Sequence, residues 1–445
     1  MRKTLKPFQV TGAKFLASRF HALLADEPGL GKTLQILEAM ELVNAKHKIV
    51  TCPASVRLNW FQEAEECFGH TRGLDVVSYN LAGQFVKAPS RSKYDAWGGD
   101  EIHFTKTVDS QRTRAIYGTG GIASMADYKW TASGTPWMNR PVEIYPTAQS
   151  LAGDKIAPYN SFKSFAQRFC GAYFDGRGLN VKGHSNLKDL AFRMSGGPDP
   201  FMLRRTKAEV LPELPKRIIT RIPIEVSPAE MAAVYAEEEN IVNREAFLSP
   251  TKEAFAQLGD MASLRRLVGL AKVSAVTAFA VDLLETVDKV VIFTWHRDVA
   301  AVISTKLGAE GIGSVTHIGG MTDLQKKAVM DRFKTDPNCR VFIGNMTSAG
   351  TGINGLQHAA NDCIFAEIDW TPGTMSQSVD RLDRMDKVFP GPVNAYIPHV
   401  PGTIESAMLG SSDGKIRVID VLVKSPESPA ILLSPTRIMR LDDIL

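Results

Sequence analysis

A chain of 445 residues is too long for one hydrophobic core and suits two domains of ordinary size. The formal charge of +4, from 52 basic against 48 acidic residues, is too even to establish a nucleic-acid partner, so any such partner has to be argued from motifs. The five cysteines, Cys52, Cys67, Cys170, Cys339 and Cys363, form no C-x-x-C pair, which argues against a zinc site and a disulfide framework, and no stretch reaches the ~20 apolar residues of a membrane span.

The start of the chain lacks the apolar core of a signal peptide, so a soluble, intracellular protein is expected, with cysteines acting as small buried hydrophobes. Phe20 to Ala25 reads as a short buried strand and Leu34 to Val43 as a helix. Between them lies Asp26-Glu27-Pro28-Gly29-Leu30-Gly31-Lys32-Thr33, a phosphate-binding loop whose first position is Asp26 where the general pattern has glycine. Such a turn points backbone N–H groups at a polyphosphate, with Lys32 on the β/γ-phosphates and the Thr33 hydroxyl on Mg²⁺. The expected ligands are ATP and Mg²⁺.

Lys48 to Cys52, Leu74 to Tyr79 and Lys129 to Ser133 continue as strands separated by amphipathic stretches, the pattern of a parallel sheet with crossovers. Asp100-Glu101-Ile102-His103 supplies what hydrolysis needs beyond a phosphate cradle: Asp100 to hold Mg²⁺ and Glu101 to orient and deprotonate water. Taken alone the pair reads equally as a solvated turn, and the preceding Trp97-Gly98-Gly99 is poor strand sequence. Thr131-Ala132-Ser133-Gly134-Thr135-Pro136 ends the next strand with small hydroxyl residues suited to sensing a γ-phosphate.

From about Tyr159 to Met194 the chain is rich in aromatic and basic residues, and from Pro228 to Glu285 the apolar spacing is helical. The strand pattern restarts at Lys289–Thr294, Ser314–Ile318, Arg340–Gly344 and Cys363–Ile368, without a second phosphate loop. The expected organisation is an ATP-binding lobe over 1–225 with a helical insertion at about 140–200, a helical linker and second lobe over 226–425, and a tail over 426–445 carrying one short helix.

The ordered loop, acidic box and Ser-Gly-Thr-Pro resemble helicase superfamily two, and further segments resemble its Swi/Snf-type DNA-translocating ATPases. Leu5-Lys6-Pro7-Phe8-Gln9 is similar to the adenine-reading segment, Cys52 to Trp60 to the first DNA-contacting motif, and Phe201 to Leu211 to a hallmark closing the first lobe. Ser348 to Asn354, Glu367 to Gly373 and Gln377-Ser378-Val379-Asp380-Arg381-Leu382-Asp383-Arg384 resemble the second-lobe motifs ending in the arginine box. Gly178 to Leu187 resembles the annealing-helicase-like branch. The match covers nearly the whole chain, from about residue 5 to about 420.

That resemblance implies an α/β fold of two RecA-like P-loop NTPase lobes, parallel sheets flanked by helices, with helical protrusions between them. It implies nucleotide contacts from Gln9, Gly29, Gly31, Lys32, Thr33, Gly352 and Gln377. It makes Arg381 and Arg384 the stabilisers of transition-state charge, and three-residue spacing would place both on one face of a helix. It implies sequence-independent contacts to duplex or branched DNA from Ser55, Ser78, Tyr79, Trp295, Thr347 and Ser348. Trp295-His296 also reads as a strand end capped by packed aromatics.

Three departures from the family pattern stand out: Ile102 for the usual alanine, Asp383 for the usual histidine between the arginines, and Asp386-Lys387 for the following Gly-Gln. The last two bear on coupling between DNA binding and hydrolysis. The implied activity is ATP-dependent translocation on DNA, in the cytoplasm of a bacterium or a virus-infected cell, with the nucleus as the alternative. Rival readings are a nucleotide-gated DNA clamp with weak turnover, a remodeller that strips proteins from DNA, and a strand-separating helicase; no recruiting partner can be named.

Overall fold

Twelve short strands account for both expected sheets, and two more form a separate hairpin, in a computed structural model that describes residues 4–87, 93–134, 136, 140–153, 158–176, 178–214, 217–245, 250–346, 355–385 and 387–423. In chain order they are β1 His21–Leu24, β2 Lys48–Cys52, β3 Leu74–Ser78, β4 Tyr94–Asp100, β5 Ala126–Ala132, β6 Tyr173–Phe174, β7 Leu179–Asn180 and β8 Met202–Leu203. They continue with β9 Ile218–Pro223, β10 Val290–Thr294, β11 Gly313–His317, β12 Cys339–Asn345, β13 Asp362–Phe365 and β14 Asn394–His399. The chain divides into two compact units, one built on residues 4–214 and the other on 217–414.

The first unit holds a sheet of order β3-β2-β4-β5-β1-β8, parallel at every pairing. Parallel strands are buried on both faces, and alternation along each strand sends neighbours into different layers. Val50 packs with helices Pro7–Ala17, Lys32–Leu42 and Arg57–Phe68 through Leu16, Ile36, Met40 and Trp60. Its neighbour Ile49 faces Trp97 and Ile116 on the opposite side. Leu23 of β1 enters a third cluster with Tyr145, Tyr159, Phe165 and Phe169, so the expected insertion is packed as part of this lobe.

Three features depart from the sequence expectation. Trp97-Gly98-Gly99 is a central strand after all, because a Cβ at Gly98 would sit 3.0 Å from Ile36 and 3.2 Å from Met40, so glycine lets the helix after the phosphate loop lie close on the sheet. The expected helical insertion contains an antiparallel hairpin, β6 with β7. And β9 pairs with β14, so the chain has entered the second sheet before the boundary expected near 225.

The second unit repeats the plan with β11-β12-β10-β13-β14-β9, again parallel throughout. Phe293, Phe342 and Phe365 pack on one face with Met330, Phe333 and Met408, while Ile292, Ile343 and Ile364 meet helices Val273–Thr286 and Arg297–Ala309 on the other. Helices Pro228–Glu245 and Pro250–Ala271 share a small core of Met231, Val234 and Val268. Among the described residues no single helix is long and apolar enough to cross a membrane. All five cysteines are free and buried, as expected. The tail over 426–445 lies outside the described residues.

Candidate active site

The phosphate loop leaves the C-terminal end of β1 and runs into helix Lys32–Leu42, whose N-cap is Gly31 in the left-handed conformation (φ 71°, ψ 45°) with no side chain capping it. The first N–H groups of that helix therefore face outward, as an anion site requires. Gly29 is also left-handed, at φ 87°. Gln9 lies buried against this turn: its Oε1 accepts from the Lys6 N–H at 2.9 Å and its Nε2 donates to the Leu30 carbonyl at 3.2 Å.

A Cβ on Gly31 would come within 2.3 Å of that Gln9 nitrogen. Gly31→Ala is expected to cost about 1–3 kcal/mol through the left-handed backbone alone, and to push Gln9 off the loop. Thermal unfolding and binding of a fluorescent ATP analogue would check this, and an unshifted melting temperature with intact binding would count against the geometry.

The aspartate in place of the pattern's first glycine is explained by an ion pair. Asp26 is fully buried, and Arg205 donates to both of its oxygens, from Nε at 3.1 Å and Nη2 at 2.5 Å. Arg205 also donates to Gln35 Oε1 and to the Phe8 carbonyl, and Gln35 Nε2 returns a bond to Asp26 at 3.2 Å. One network thus ties the Leu5–Gln9 segment, the loop, its helix and the Phe201–Leu211 segment. Glu27 adds a second tie by accepting from the Lys207 N–H at 2.7 Å.

Arg205→Ala should be destabilising by about 3–5 kcal/mol, since it strands a buried carboxylate, whereas the double change Asp26→Ala/Arg205→Ala should recover much of that loss. A urea titration of both variants would decide it. A double variant no more stable than the single one would contradict the pairing.

Lys32 Nζ donates to the Asp26 carbonyl at 2.9 Å and the Glu27 carbonyl at 3.3 Å, which holds the ammonium over the loop. The acidic box arrives at the end of β4, beside β5. Trp60 Nε1 donates to Asp100 Oδ2 at 3.1 Å, and the Tyr79 hydroxyl donates to the Asp100 carbonyl at 2.6 Å. Burial and the neighbouring Glu101 charge push the Asp100 carboxyl up, with Trp60 and Lys32 opposing them.

Glu101 sits at φ 53°, ψ 55°, a left-handed conformation rare for a non-glycine residue and concentrated at functional sites. Ser133 Oγ donates to its Oε2 at 3.0 Å and His103 Nδ1 lies 3.2 Å from the same oxygen. Burial pushes this carboxyl up, but His103, Lys32 and Ser133 outweigh burial and hold it well below the usual range. The three sequence-selected groups Lys32, Asp100 and Glu101 are thus close enough to act on one another, and Ser133 joins them from the Ser-Gly-Thr-Pro segment.

The donor set suits Mg²⁺, which favours hard oxygen ligands. Asp100 combines a carboxylate strained by burial and a like charge, an arrangement a cation relieves, and Thr33 is half-buried at the head of the loop helix.

The proposed DNA contacts fare unevenly. Ser55 is exposed in the turn Ala54–Val56 after β2. Ser78 and Tyr79 are buried, with Tyr79 stacked on Phe104 at 5.6 Å, so these side chains are not surface phosphate contacts; the tyrosine positions the acidic box instead. In the second unit the N–H groups of Trp295 and His296 both donate to Glu367 Oε2, and Arg265 stacks on the Trp295 ring at 4.1 Å while pairing with Asp369 at 3.6 Å. Trp295 thus matches the packed strand-end reading. Thr347, Ser348 and Gly352 lie outside the described residues, as do Thr135 and Asp386.

Gln377 is buried on helix Pro372–Val379. Arg381 and Arg384 do not share a helix face, because that helix ends at Val379 and the chain tightens into i→i−3 bonds, Arg381 N to Ser378 O and Leu382 N to Val379 O. Arg217 holds this turn, 3.2 Å from Asp380 and 3.8 Å from Asp383. The aspartate that replaces the family's usual histidine therefore has a partner. Both arginines remain half-buried in the turn.

A parallel three-layer lobe carrying a phosphate-loop sequence, followed by a second parallel lobe, is the fold of paired RecA-like lobes. Residues 8–86 match the SNF2-related domain and residues 271–386 the helicase conserved C-terminal domain. These two matches mark an SNF2-related domain and a helicase C-terminal domain within the chain. The chain is 26% identical over 93% of its length to the SWI/SNF-related matrix-associated actin-dependent regulator of chromatin subfamily A-like protein 1 of Xenopus tropicalis, spanning 44% of that protein. It is 26% identical over 94% of its length to the human DNA annealing helicase and endonuclease ZRANB3, spanning 40% of it. The chain therefore covers less than half of either relative. The Sulfolobus solfataricus SWI2/SNF2 ATPase core in complex with dsDNA aligns over 94% of this chain and 92% of its own, at 21% identity and a TM-score of 0.41.

Proposed function

We propose that this chain is a DNA-dependent ATPase that translocates on duplex or branched DNA and remodels DNA or protein–DNA complexes. The observation that carries it is the convergence of Lys32, Asp100, Glu101, His103 and Ser133 at the ends of β1, β4 and β5. Lys32 and the loop N–H groups bind the ATP phosphates, Gln9 reads adenine, and Glu101 orients the water that attacks the γ-phosphorus and accepts its proton, leaving ADP and phosphate. Thr33 and Asp100 would hold Mg²⁺, which supplies charge neutralisation on the β/γ-oxygens. Gly352 and Gln377 belong to the nucleotide contacts, and Arg381 and Arg384 stabilise transition-state charge. The names of the relatives support the DNA assignment, and the location that goes with this reading is inside a cell, in the cytoplasm of a bacterium or of a virus-infected cell, with the nucleus as the alternative.

Phosphate-directed binding requires turnover to rise with duplex or forked DNA whatever its sequence, and DNA affinity to fall steeply between 50 and 200 mM salt. An ATPase assay without nucleic acid and with single-stranded, duplex and forked DNA tests this, and triplex displacement tests movement. Efficient unwinding of long duplexes without triplex displacement would make a conventional helicase the better description. A second reading, a nucleotide-gated clamp with little turnover, is favoured by one observation: Asp383 sits in the arginine box and is tied to Arg217. DNA that binds without raising phosphate release would select it.

A further inference from the structure

The hairpin within the first lobe leaves its largest apolar side chains in water. Tyr173 and Phe174 are 60% and 74% exposed and Leu179 is 38% exposed, although the same region buries Tyr145, Tyr159, Phe165, Phe169 and Phe201 in one cluster. β6 and β7 pair with Tyr173 opposite Asn180 and Phe174 opposite Leu179. Successive strand residues face opposite sides, so each face of the ribbon carries one aromatic ring. Asn180 Nδ2 donates to the Tyr173 hydroxyl at 3.3 Å and orients that ring.

An isolated two-stranded hairpin is marginal in water, but this one has a fixed root. Ser185 Oγ accepts from the Gly171 N–H at 3.0 Å and donates to the Arg168 carbonyl at 2.6 Å, and Asn186 Nδ2 donates to the same carbonyl at 2.8 Å. The rings are therefore presented from a held base. Their surroundings are cationic: residues 159–194 contain six Lys or Arg against two Asp. Of the two, Asp189 is taken by Arg168 and Arg193, while Lys163, Lys182 and Lys188 are exposed.

We propose that this ribbon is a stacking platform for unpaired bases of branched DNA, with the neighbouring lysines on the flanking phosphates. Duplex binding through phosphates has no use for exposed ring faces, whereas an unpaired base offers a π-face of matching size and the backbone beside it offers negative charge. A protein partner fits less well, since the cores of protein interfaces are depleted in lysine. The proposal rests on the DNA reading above and specifies the structure that this site would select.

The test uses the full chain as wild type, Tyr173→Ala/Phe174→Ala, and Phe174→Trp. Binding and ATPase stimulation are compared on a blunt duplex and on the same duplex carrying two unpaired arms. The double variant is expected to keep its response to blunt duplex and to bind the forked DNA about tenfold or more weakly, the loss that goes with one stacked base. Phe174→Trp should bind the fork at least as well as wild type, which also shows that the hairpin is folded. Equal loss on both DNAs, or an unchanged fork affinity, would overturn the platform while leaving the motor reading intact. A free protein whose sedimentation changes in the double variant would place a second copy on these rings and likewise overturn it. Wild-type turnover indifferent to every DNA would overturn the motor reading itself.

Discussion

Replacing Glu101 by Gln is expected to lower ATP turnover by about 10²–10⁴-fold, the usual worth of a positioned proton acceptor, while ATP binding survives. The geometry explains why these properties separate. Ser133 Oγ can still donate to an amide oxygen at that position, and Lys32 and the loop N–H groups are untouched. A carboxylate held low by His103, Lys32 and Ser133 stays ionised, so it can orient the water and accept its proton as the bond to phosphorus forms. Lys32→Ala removes the phosphate charge and should lose binding and turnover together. Single-turnover hydrolysis beside equilibrium binding of an ATP analogue separates the two variants. Near wild-type turnover in both would remove this site as the catalytic centre.

His103→Ala provides a graded comparison. The imidazole contacts Glu101 Oε2 without being assigned to the nucleotide, so its loss should lower turnover less than Glu101→Gln does and leave ATP affinity unchanged. A variant as inactive as Glu101→Gln would promote His103 from positioning the carboxylate to acting on the reactants.

Most of the strands and the Asp100-Glu101 pair were legible in the sequence because they rest on local signals. Lys48 to Cys52 is read as a strand from its apolar run and is one, residue for residue. The loop is legible because phosphate binding needs glycine at fixed places. Long-range packing was less visible. Gly98 argues against a strand until the helix lying on it is known, and Gly99 until the Trp97 ring beside it is; the hairpin at Tyr173 was hidden in an aromatic, basic stretch that reads as helix. The Asp26–Arg205 pair spans 179 residues, so no spacing rule finds it, although an aspartate where glycine is usual was a signal that something must neutralise it. Tyr79 was expected to touch DNA from the resemblance alone, and its burial was not visible locally because its hydroxyl is bound to a carbonyl two strands away in the sheet order β3-β2-β4.

Arg381→Ala and Arg384→Ala should each lower turnover by up to about 10³–10⁵-fold if they serve as arginine fingers, with ATP affinity of the first lobe little changed. The turn that carries them raises a further expectation. It is held by Arg217, which reaches Asp380 and Asp383 together, so Arg217→Ala should lower turnover as well, by loosening the arginines. Removing a guanidinium also leaves two carboxylates, 3% and 4% exposed, without that charge, and therefore costs stability. Replacing the aspartates too, in Arg217→Ala/Asp380→Asn/Asp383→Asn, relieves the buried charge without restoring the clamp. Stability should then recover while turnover stays low. Recovery of both would mean that Arg217 matters only for folding, and a wild type that turns over no faster on DNA than Arg381→Ala would hand the case to the clamp reading.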